Sequence, residues 1–277
     1  MIDLHLHTTA SDGRCTPREL VERASAAGVT ILAVTDHDTM ASVVEVRTMA
    51  RARGIEALPG IEITAVEDGR DVHMLGYFLD QDDRALVAFL EQQREIRVDR
   101  VRAIARRLAD LGVAIDVEAL VDGHDRGSGV SIGRPVVARA LQAAGHVTSI
   151  SEAFDRFLGE DRPAFVPRDG LPPVEVIRLV HGAGGLVSLA HPGRTRIDAR
   201  IAALAAAGLD ALEVHHSDHD APTGQRYHAM AVQLGLLETG GSDFPGDPAR
   251  RLEPGAATLP FDAWERLRAA GARHAAR

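Results

Sequence analysis

The stretch that decides the fold is residues 1–13, which read MIDLHLHTTASDG. Apolar and polar residues alternate over residues 2–7, which is the period of a β-strand. Because side chains two residues apart share one face of a strand, Asp3, His5 and His7 point the same way. This polar face is either that of a solvent-facing edge strand or the start of a metal site, since two imidazoles on one face can converge on a cation.

Outward from this strand, short apolar runs alternate with Ala- and Arg-rich helical stretches. Thr16, Pro17 and Glu19 predict a capping box with proline at the first helical position, and the helix that they begin ends at Gly28. Most strand candidates are joined through helices, which favours parallel pairing in an α/β fold. The seven strand candidates are residues 2–6, 30–35, 60–64, 71–79, 185–190, 210–215 and 235–239.

The middle of the chain has a different, helical pattern. Residues 83–111 predict one long amphipathic helix, shorter helices follow, and residues 164–166 are the one short strand candidate there. We therefore expect residues 1–80 and 164–277 to form the barrel. Residues 81–163 are expected to be a helical insertion within the same domain, without a core of its own.

The composition narrows the classes of function. The chain has 277 residues, of which 45% are hydrophobic, so one large α/β domain can bury a sizeable core. A formal net charge of −9 argues against salt-driven binding to long nucleic acid, although a local group of cations or arginines can still bind a small anion.

The same sequence bears on location. Cys15 is the one cysteine, so no intramolecular disulfide can form, and a cytoplasmic, reducing location is expected. The first residues contain no basic region followed by an apolar run, and no apolar stretch is long enough to span a membrane. Neither a signal peptide nor a membrane span is therefore expected.

Ligand-type side chains recur at or just beyond the other predicted strands. Any one of them could be a satisfied core histidine or a helix cap, but a ring of carboxylates and imidazoles is unfavourable without cations to neutralise it. Since the carboxyl ends of parallel barrel strands lie on one rim, we expect these side chains to meet. They are His5, His7, Asp12, Asp36, His37, Glu62, His73, His191 and Asp243.

Taken together, these motifs resemble the polymerase-and-histidinol-phosphatase (PHP) family of metal-dependent phosphoesterases. The matching stretches are DLHLHTTASDG, TDHD, PGIEI, the isolated His73, LAHPG and GGSDF, in family order along essentially the whole chain. The resemblance implies an α/β fold that is a distorted (β/α)7 TIM-like barrel, which agrees with the seven strand candidates. It also implies that the helical insertion, residues 81–163, covers the substrate.

The resemblance further implies which residues hold metal ions. The ligands implied for a first metal are His5, His7, Glu62 and Asp243. Glu62 would bridge to a second metal, which His73 and His191 would also hold.

Asp12 and His37 resemble ligands of a third metal. Relatives usually have a histidine after the SDF of the last motif, whereas this chain has Pro245, whose side chain carries no ligand atom. We therefore expect two to three divalent cations. Mn²⁺ is expected first, with Zn²⁺, Fe²⁺ or Mg²⁺ as alternatives, because the ligand type alone does not select among them.

Within the family, the insertion and the segments GRPVVARAL, AHPGRT and EVHHSDH resemble small bacterial enzymes that hydrolyse nucleoside 3′,5′-bisphosphates and trim short RNA. Arg134 and Arg194 are the implied phosphate-binding residues, since a guanidinium matches phosphate oxygens bidentately. Arg134 could equally be a surface residue at a helix start. His219 is the candidate proton donor to the leaving oxygen, while His215 and His216 could equally be structural.

The sequence therefore predicts a phosphatase that removes the 3′-phosphate of nucleoside 3′,5′-bisphosphates, and acts on short RNA 5′ ends as a further substrate, by a metal-activated hydroxide. Arg194 and His219 are expected to act in catalysis, and Arg134 with them in substrate binding. The expected partner is a small phosphorylated molecule, with no long nucleic acid, membrane or obligate protein partner indicated. The alternatives are a phosphatase for histidinol phosphate or another small molecule, and a catalytically impaired metal-binding module, which only Pro245 favours.

Overall fold

The computed structural model describes residues 1–122, 129–195, 197–247 and 251–274. Seven strands form one sheet in which spatial order follows chain order. They are Ile2–Leu6 (β1), Ile31–Val34 (β2), Glu56–Glu67 (β3), Arg70–Tyr77 (β4), Leu186–Leu189 (β5), Ala211–His216 (β6) and Leu237–Gly241 (β7). The sheet curls into a nearly closed barrel, because Leu6 at the end of β1 bridges to Phe244 just after β7.

Helices connect the strands and cover the barrel. In the described part of the chain they are Pro17–Ala26 (α1), Val43–Arg51 (α2), Arg84–Asp110 (α3), Val117–Val121 (α4), Arg134–Ala143 (α5), Ile150–Ala153 (α6), Pro173–Gly182 (α7), Pro192–Thr195 (α8), Asp198–Ala206 (α9), Ala221–Leu234 (α10) and Phe261–His274 (α11). A π-helical turn, Phe154–Leu158, continues α6. None of the described helices combines the length and the apolar character needed to cross a membrane.

Strand direction follows the connections. Four neighbouring pairs are parallel and are joined through helices. They are β1–β2, β2–β3, β5–β6 and β6–β7. The expected parallel pairing does not hold at β4, which is antiparallel to both β3 and β5. For β3 and β4 the reason is the two-residue turn of Asp68 and Gly69, both with positive φ, since a turn this short can join only antiparallel strands.

The amino-terminal end of the barrel is filled with apolar side chains. Ile2, Leu4 and Ile31 pack there with Trp264 and Leu267 of α11 in one buried cluster. Full burial of a Leu side chain contributes about 1.5–3 kcal/mol of free energy, so this plug anchors the helix. The plug closes one end of the barrel and leaves the carboxyl ends of the strands for polar side chains.

The inserted helices have an apolar cluster of their own, which was not expected. Leu86 and Leu90 in the first half of α3 belong to the barrel cluster, whereas Ile104 and Leu108 pack with Leu141 and other residues of the insertion. One 27-residue helix therefore serves both clusters, which explains why its sequence pattern gave no boundary. The division into a barrel and a substrate-covering insertion stays a prediction.

The short strand predicted at residues 164–166 is wrong, since this described stretch is irregular. Its carbonyl groups accept from arginines instead of from a neighbouring strand. Arg100 Nε donates to the Val166 carbonyl at 2.8 Å, and Arg107 donates to the Phe165 carbonyl. Arginine side chains of α3 thus supply the hydrogen bonds that a neighbouring strand would otherwise give to these carbonyl groups.

Candidate metal centre

His5 and His7 point into the barrel. The pairing of β1 with β2 is irregular between Asp3 and Leu6, so the expectation of one regular polar face shared by Asp3, His5 and His7 does not hold. His5 and His7 are 0% and 2% exposed, so the alternative of a solvent-facing edge strand is excluded. The centroids of their rings are 5.2 Å apart. Both rings lie at the carboxyl end of the barrel, where the loops after the other strands meet them. A strand that buries two histidines needs partners for their nitrogens, and these partners define the site.

The third polar residue of β1, Asp3, has a different task. Its carboxylate accepts from the Ser242 backbone N–H at 2.9 Å, from Ser242 Oγ at 2.6 Å and from the Gly255 N–H at 2.7 Å. These bonds join β1 to the chain after β7. The seam is tight, because a Cβ added at Gly241 would lie 2.3 Å from the His5 backbone nitrogen. Asp3 therefore closes the barrel beside the site.

Asp36, next to His37, is likewise an anchor for loops. Its carboxylate accepts from the Thr8 backbone N–H at 2.7 Å, from Ser11 Oγ at 2.6 Å and from the Ser42 hydroxyl. These bonds leave His37 as the group of this motif that faces the barrel centre.

Glu62 on β3 is the centre of the site. It is 1% exposed, and both of its carboxylate oxygens are shared among imidazoles. Its Oε1 lies 2.7 Å from His73 Nδ1 and 3.0 Å from His191 Nε2. The distances from Oε2 are 3.2 Å to His5 Nε2, 3.3 Å to His7 Nε2 and 3.1 Å to His37 Nδ1. A carboxylate placed between two sets of imidazoles has the position of a ligand that bridges two cations.

Two further carboxylates, Asp243 and Asp12, flank this centre. Asp243 Oδ1 lies 3.2 Å from His7 Nε2 and 3.7 Å from His5 Nε2. Asp12 is 3.6 Å from His7 Nδ1 and 3.7 Å from His37 Nε2. The structure therefore brings together all eight predicted ligands.

Burial and neighbouring charges shift the pKa values of the buried carboxylates and imidazoles of the site in different directions. Burial alone would raise the pKa of Glu62, but the neighbouring His37 and His73 rings outweigh it and hold that pKa well below its usual range. Burial opposes the charged form of His5, yet Glu213 and Glu62 hold its pKa well above the usual value. His37 is different, since burial lowers its pKa to about 4.

The site fits divalent cations. Ring nitrogens of several of these histidines are buried and, although carboxylate oxygens lie close to some of them, have no partner in hydrogen-bond geometry among the described residues. They are both nitrogens of His7 and the Nδ1 atoms of His37, His73 and His191. Ligand atoms on one ion with bonds of 2.0–2.2 Å lie about 3.3 Å apart, which matches the observed separations. The groups His5–Glu62–His191, His5–His7–Asp243 and His7–His37–Glu62 each converge in this way.

Glu213 on β6 is a further residue of the site, and it was not predicted from the sequence. Its Oε1 is 2.9 Å from His5 Nδ1, and its Oε2 accepts from the His191 backbone N–H at 2.6 Å. A carboxylate behind a ligand imidazole fixes the tautomer and turns the other ring nitrogen toward the metal. The only sequence signal was a lone Glu within the apolar run ALEVHH.

His216 is a second residue that the sequence could not assign. The pairing of β6 with β7 is irregular between Glu213 and His215, and this irregularity places His216 at the site, with Nε2 3.6 Å from Asp243 Oδ2. His215 lies outside and pairs with Glu238 at 3.0 Å. Strict alternation would have chosen His215.

Arg194 lies at the site as predicted. It follows the predicted ligand His191 in the short helix α8, and its Nη1 is 2.8 Å from Asp243 Oδ2. His191 and Asp243 both have positive φ, 26° and 51°. Such backbone conformations cost about 1–3 kcal/mol in non-glycine residues and cluster at functional sites.

Arg134 begins α5 and points toward the barrel. Its Nη2 is 3.1 Å from Asp71 Oδ2, and its guanidinium packs over the rings of Phe154 and Phe165. It is half-buried, so a solvated surface position does not describe it.

His219 does not face the candidate metal ligands. Its Nδ1 donates to the Val214 carbonyl at 3.0 Å, and its Nε2 accepts from the Gly193 N–H at 3.3 Å. Burial lowers its pKa. In this arrangement neither nitrogen can give a proton to a leaving oxygen, so the proton-donor role needs the ring to move and stays a prediction.

Two adjoining cavities open onto the cluster. The larger has a volume of about 710 Å³ and lies between the barrel rim and the inserted helices. The smaller, of about 170 Å³, extends toward Arg134. Both are lined by Asp12, His37 and His73, so a molecule bound at the cluster can reach either cavity.

Buried imidazoles and carboxylates converging at the carboxyl end of an α/β barrel, with an arginine beside them, define a metal-dependent hydrolase. Residues 3–121 match the PHP domain. A 5′-3′ exoribonuclease from Haemophilus influenzae is 35% identical over 250 residues, which cover 87% of this chain and 89% of that protein. The chain belongs to the PHP family, and it is a hydrolase acting on phosphoric esters.

Two more relatives agree with this assignment. A 3′,5′-nucleoside bisphosphate phosphatase from Chromobacterium violaceum is 33% identical over 256 residues, covering 90% of this chain and 89% of that protein. A solved structure from Bifidobacterium adolescentis, described as a metal-dependent phosphoesterase, superposes with a TM-score of 0.86 at 34% identity, covering 96% of this chain and 94% of the other. The family, the fold class and the enzyme class predicted from the sequence are confirmed.

Proposed function

We propose that the chain removes the 3′-phosphate from nucleoside 3′,5′-bisphosphates. The observation that carries the proposal is the smaller cavity beside the metal ligands, which we call the arginine cavity. Its lining includes four arginines of the insertion and its edge, namely Arg97, Arg100, Arg134 and Arg168. Two carboxylates offset only part of their charge, since Asp38 is shared by Arg97 and Arg168, and Asp71 by Arg100 and Arg134. The cavity is therefore cationic.

Several donors of this cavity lack partners. Arg100 Nη2, Arg168 Nε and Ser131 Oγ are buried and have no hydrogen-bond partner among the described residues. Burial, and after it the neighbouring Arg97, lower the pKa of Arg168 to about 9. Leaving such donors unpaired costs about 1–3 kcal/mol each or more, and a bound phosphate would remove that cost.

The division of labour follows from this geometry. The phosphate to be cleaved would bind at the candidate metal ligands, with Arg194 beside it. The second phosphate would bind in the arginine cavity. Divalent cations, when bound, neutralise phosphate oxygens and lower the pKa of a bound water to give the nucleophile. We propose two to three such cations with Mn²⁺ first, the third depending on Asp12 and His37 because Pro245 offers no ligand.

The proposed cover over the substrate has support from the larger cavity. Pro135, Arg139, Gln142, Ile150 and Phe154 of the insertion all line it. An insertion that closes over a metal site excludes water and contacts the part of the substrate that does not react. The Chromobacterium violaceum relative, a bisphosphate phosphatase, supports the same substrate class.

The test compares two substrates in an arginine variant. Arg134→Ala should lower kcat/KM for a nucleoside 3′,5′-bisphosphate by about tenfold to a hundredfold, since a charge-assisted hydrogen bond contributes about 1.5–3 kcal/mol. Hydrolysis of p-nitrophenyl phosphate should change little, because it has no second phosphate. Arg102→Ala is the matched control, since Arg102 lies on α3 but pairs at the surface with Glu118.

Other outcomes point elsewhere. Equal losses on both substrates would place Arg134 in the fold or at the metals. No loss on either would reopen the histidinol-phosphate alternative, and no phosphate release from any ester by the Mn²⁺-loaded protein would favour an impaired metal-binding module.

A second substrate class is the 5′ end of short RNA. The larger cavity continues past the metal ligands to Arg14, Arg139 and Gln142, which gives cationic and amide contacts for a further nucleotide. The Haemophilus influenzae relative, an exoribonuclease, supports this reading. Release of mononucleotides from a short 5′-phosphorylated RNA would establish it.

A cytoplasmic location stays a prediction from the single cysteine.

A further inference from the structure

A second cluster of ligand-type side chains lies away from the active site. His181 is in the last turn of α7, Asp210 directly precedes β6, and His274 is in the last turn of α11. One ligand atom from each comes within 4.8 Å of the others. We call these three residues the distal cluster.

The distal cluster is independent of the phosphoesterase site. Asp210 lies at the amino end of β6, whereas His216 at its carboxyl end belongs to the active site. Six residues of strand at about 3.3 Å each separate the two by roughly 20 Å. A ligand at the distal cluster therefore cannot touch the reacting phosphate.

We propose that the distal cluster binds one divalent transition-metal ion, with Zn²⁺ as the representative. Two imidazoles and one carboxylate are a ligand set that Zn²⁺ accepts, with water at the remaining position. His181 Nε2 lies 2.8 Å and His274 Nε2 lies 4.0 Å from oxygens of Asp210. These separations bracket the spacing of about 3.3 Å between ligands on one tetrahedral ion, so small side-chain shifts complete the site.

The surroundings favour an ion over a simple ion pair. Asp210 Oδ2 also accepts from the Val187 N–H at 2.9 Å, which fixes the carboxylate. His274 is too far from Asp210 for a hydrogen bond, although its ring contacts that of His181 with centroids 5.2 Å apart. The side chains are 30%, 18% and 23% exposed in the order His181, Asp210, His274, so an ion can enter.

The position of the cluster indicates what the ion does. Helix α11 already packs Trp264 and Leu267 into the plug of the barrel, and its Gly271 lies against the Phe78 ring. Beyond Gly271, the ring of His274 contacts that of His181 in α7, and its Nε2 lies 4.0 Å from Asp210, which precedes β6. An ion shared by these three elements would fix the end of the helix and stabilise the fold.

The test counts Zn²⁺ ions in the full-length protein after equilibrium dialysis against buffered Zn²⁺. His274→Ala and His181→Ala should each hold about one ion per chain fewer than the wild type, because three ligands hold one ion. Zn²⁺ should raise Tm less in either variant than in the wild type. Phosphatase activity should be unchanged. The control is His228→Ala, since His228 is 58% exposed and also contacts a carboxylate, Glu238.

Equal Zn²⁺ content in the wild type and both distal variants would overturn the proposal. An equal loss in His228→Ala would do so too, since it would mean unspecific binding by surface histidines. Neither result depends on the substrate, so the phosphoesterase assignment is tested separately.

Discussion

Replacing Glu213 with Gln tests how the protein orients its metal ligands. The side chain is fully buried and has two contacts, His5 Nδ1 at 2.9 Å and the His191 backbone N–H at 2.6 Å. A carboxylate accepts at both oxygens, so Glu213 holds a proton on His5 Nδ1, and with a metal ion bound His5 Nε2 would be free to act as the ligand atom. The substitution keeps the shape and removes this double acceptance.

Neither orientation of the amide restores both contacts. If its oxygen faces the His191 N–H, its NH₂ faces His5 Nδ1, and the ring proton must move to Nε2, which is the ligand atom. If it is flipped, two donors face each other at His191, and a charge-assisted hydrogen bond of about 1.5–3 kcal/mol is lost. Loss of a group that orients a metal ligand typically weakens metal binding by about 10–100-fold.

The assay is phosphate release from a fixed substrate as Mn²⁺ is added to the metal-free protein. The Mn²⁺ concentration for half-maximal activity should rise by about 10–100-fold in Glu213→Gln, and excess Mn²⁺ should restore most of the rate. Glu238→Gln is the matched control, since Glu238 joins His215 and His228 outside the site. An unchanged Mn²⁺ requirement in Glu213→Gln, or an equal rise in the control, would refute the reasoning.

Two further substitutions test the remaining assignments. Pro245→His should add a ligand next to Asp12 and His37 and so raise the Mn²⁺ stoichiometry or tighten the last ion; identical titrations of variant and wild type would mean that Pro245 does not limit a third site. If His219 protonates the leaving oxygen, His219→Asn should lower kcat for a nucleotide several-fold more than for p-nitrophenyl phosphate, whose leaving group needs no proton. Similar effects on both substrates would assign His219 to packing.

Local features of the fold could be predicted from the sequence. The bounds of β1 coincide with the predicted strand, and the capping box forms, with Thr16 N–H donating to Glu19 at 2.8 Å. The long helix was expected over residues 83–111 and extends over Arg84–Asp110 because Asp83 caps its start. These features depend on side chains within a few residues of one another, which a single sequence displays.

Features that depend on distant residues could not be predicted. The irregularity of β6 that selects His216 over His215 arises from its register with β7, and an alternating pattern does not show it. Arg134 has its partner Asp71 at a separation of 63 residues. The eight candidate ligands were grouped because they lie at or just beyond predicted strands, and a family resemblance then assigned them to metals; Glu213, without a motif of its own, was missed.

The most direct test of the metal centre is the Mn²⁺ content of the loaded, desalted protein, measured by elemental analysis alongside phosphate release. Using the His274→Ala variant keeps the distal cluster out of the count. The convergence of His5, His7, His73 and His191 on Glu62, with Asp243 beside them, predicts at least two ions per chain and activity that disappears when they are removed. Fewer than one ion per chain, or phosphate release that survives complete removal of metal, would contradict the account.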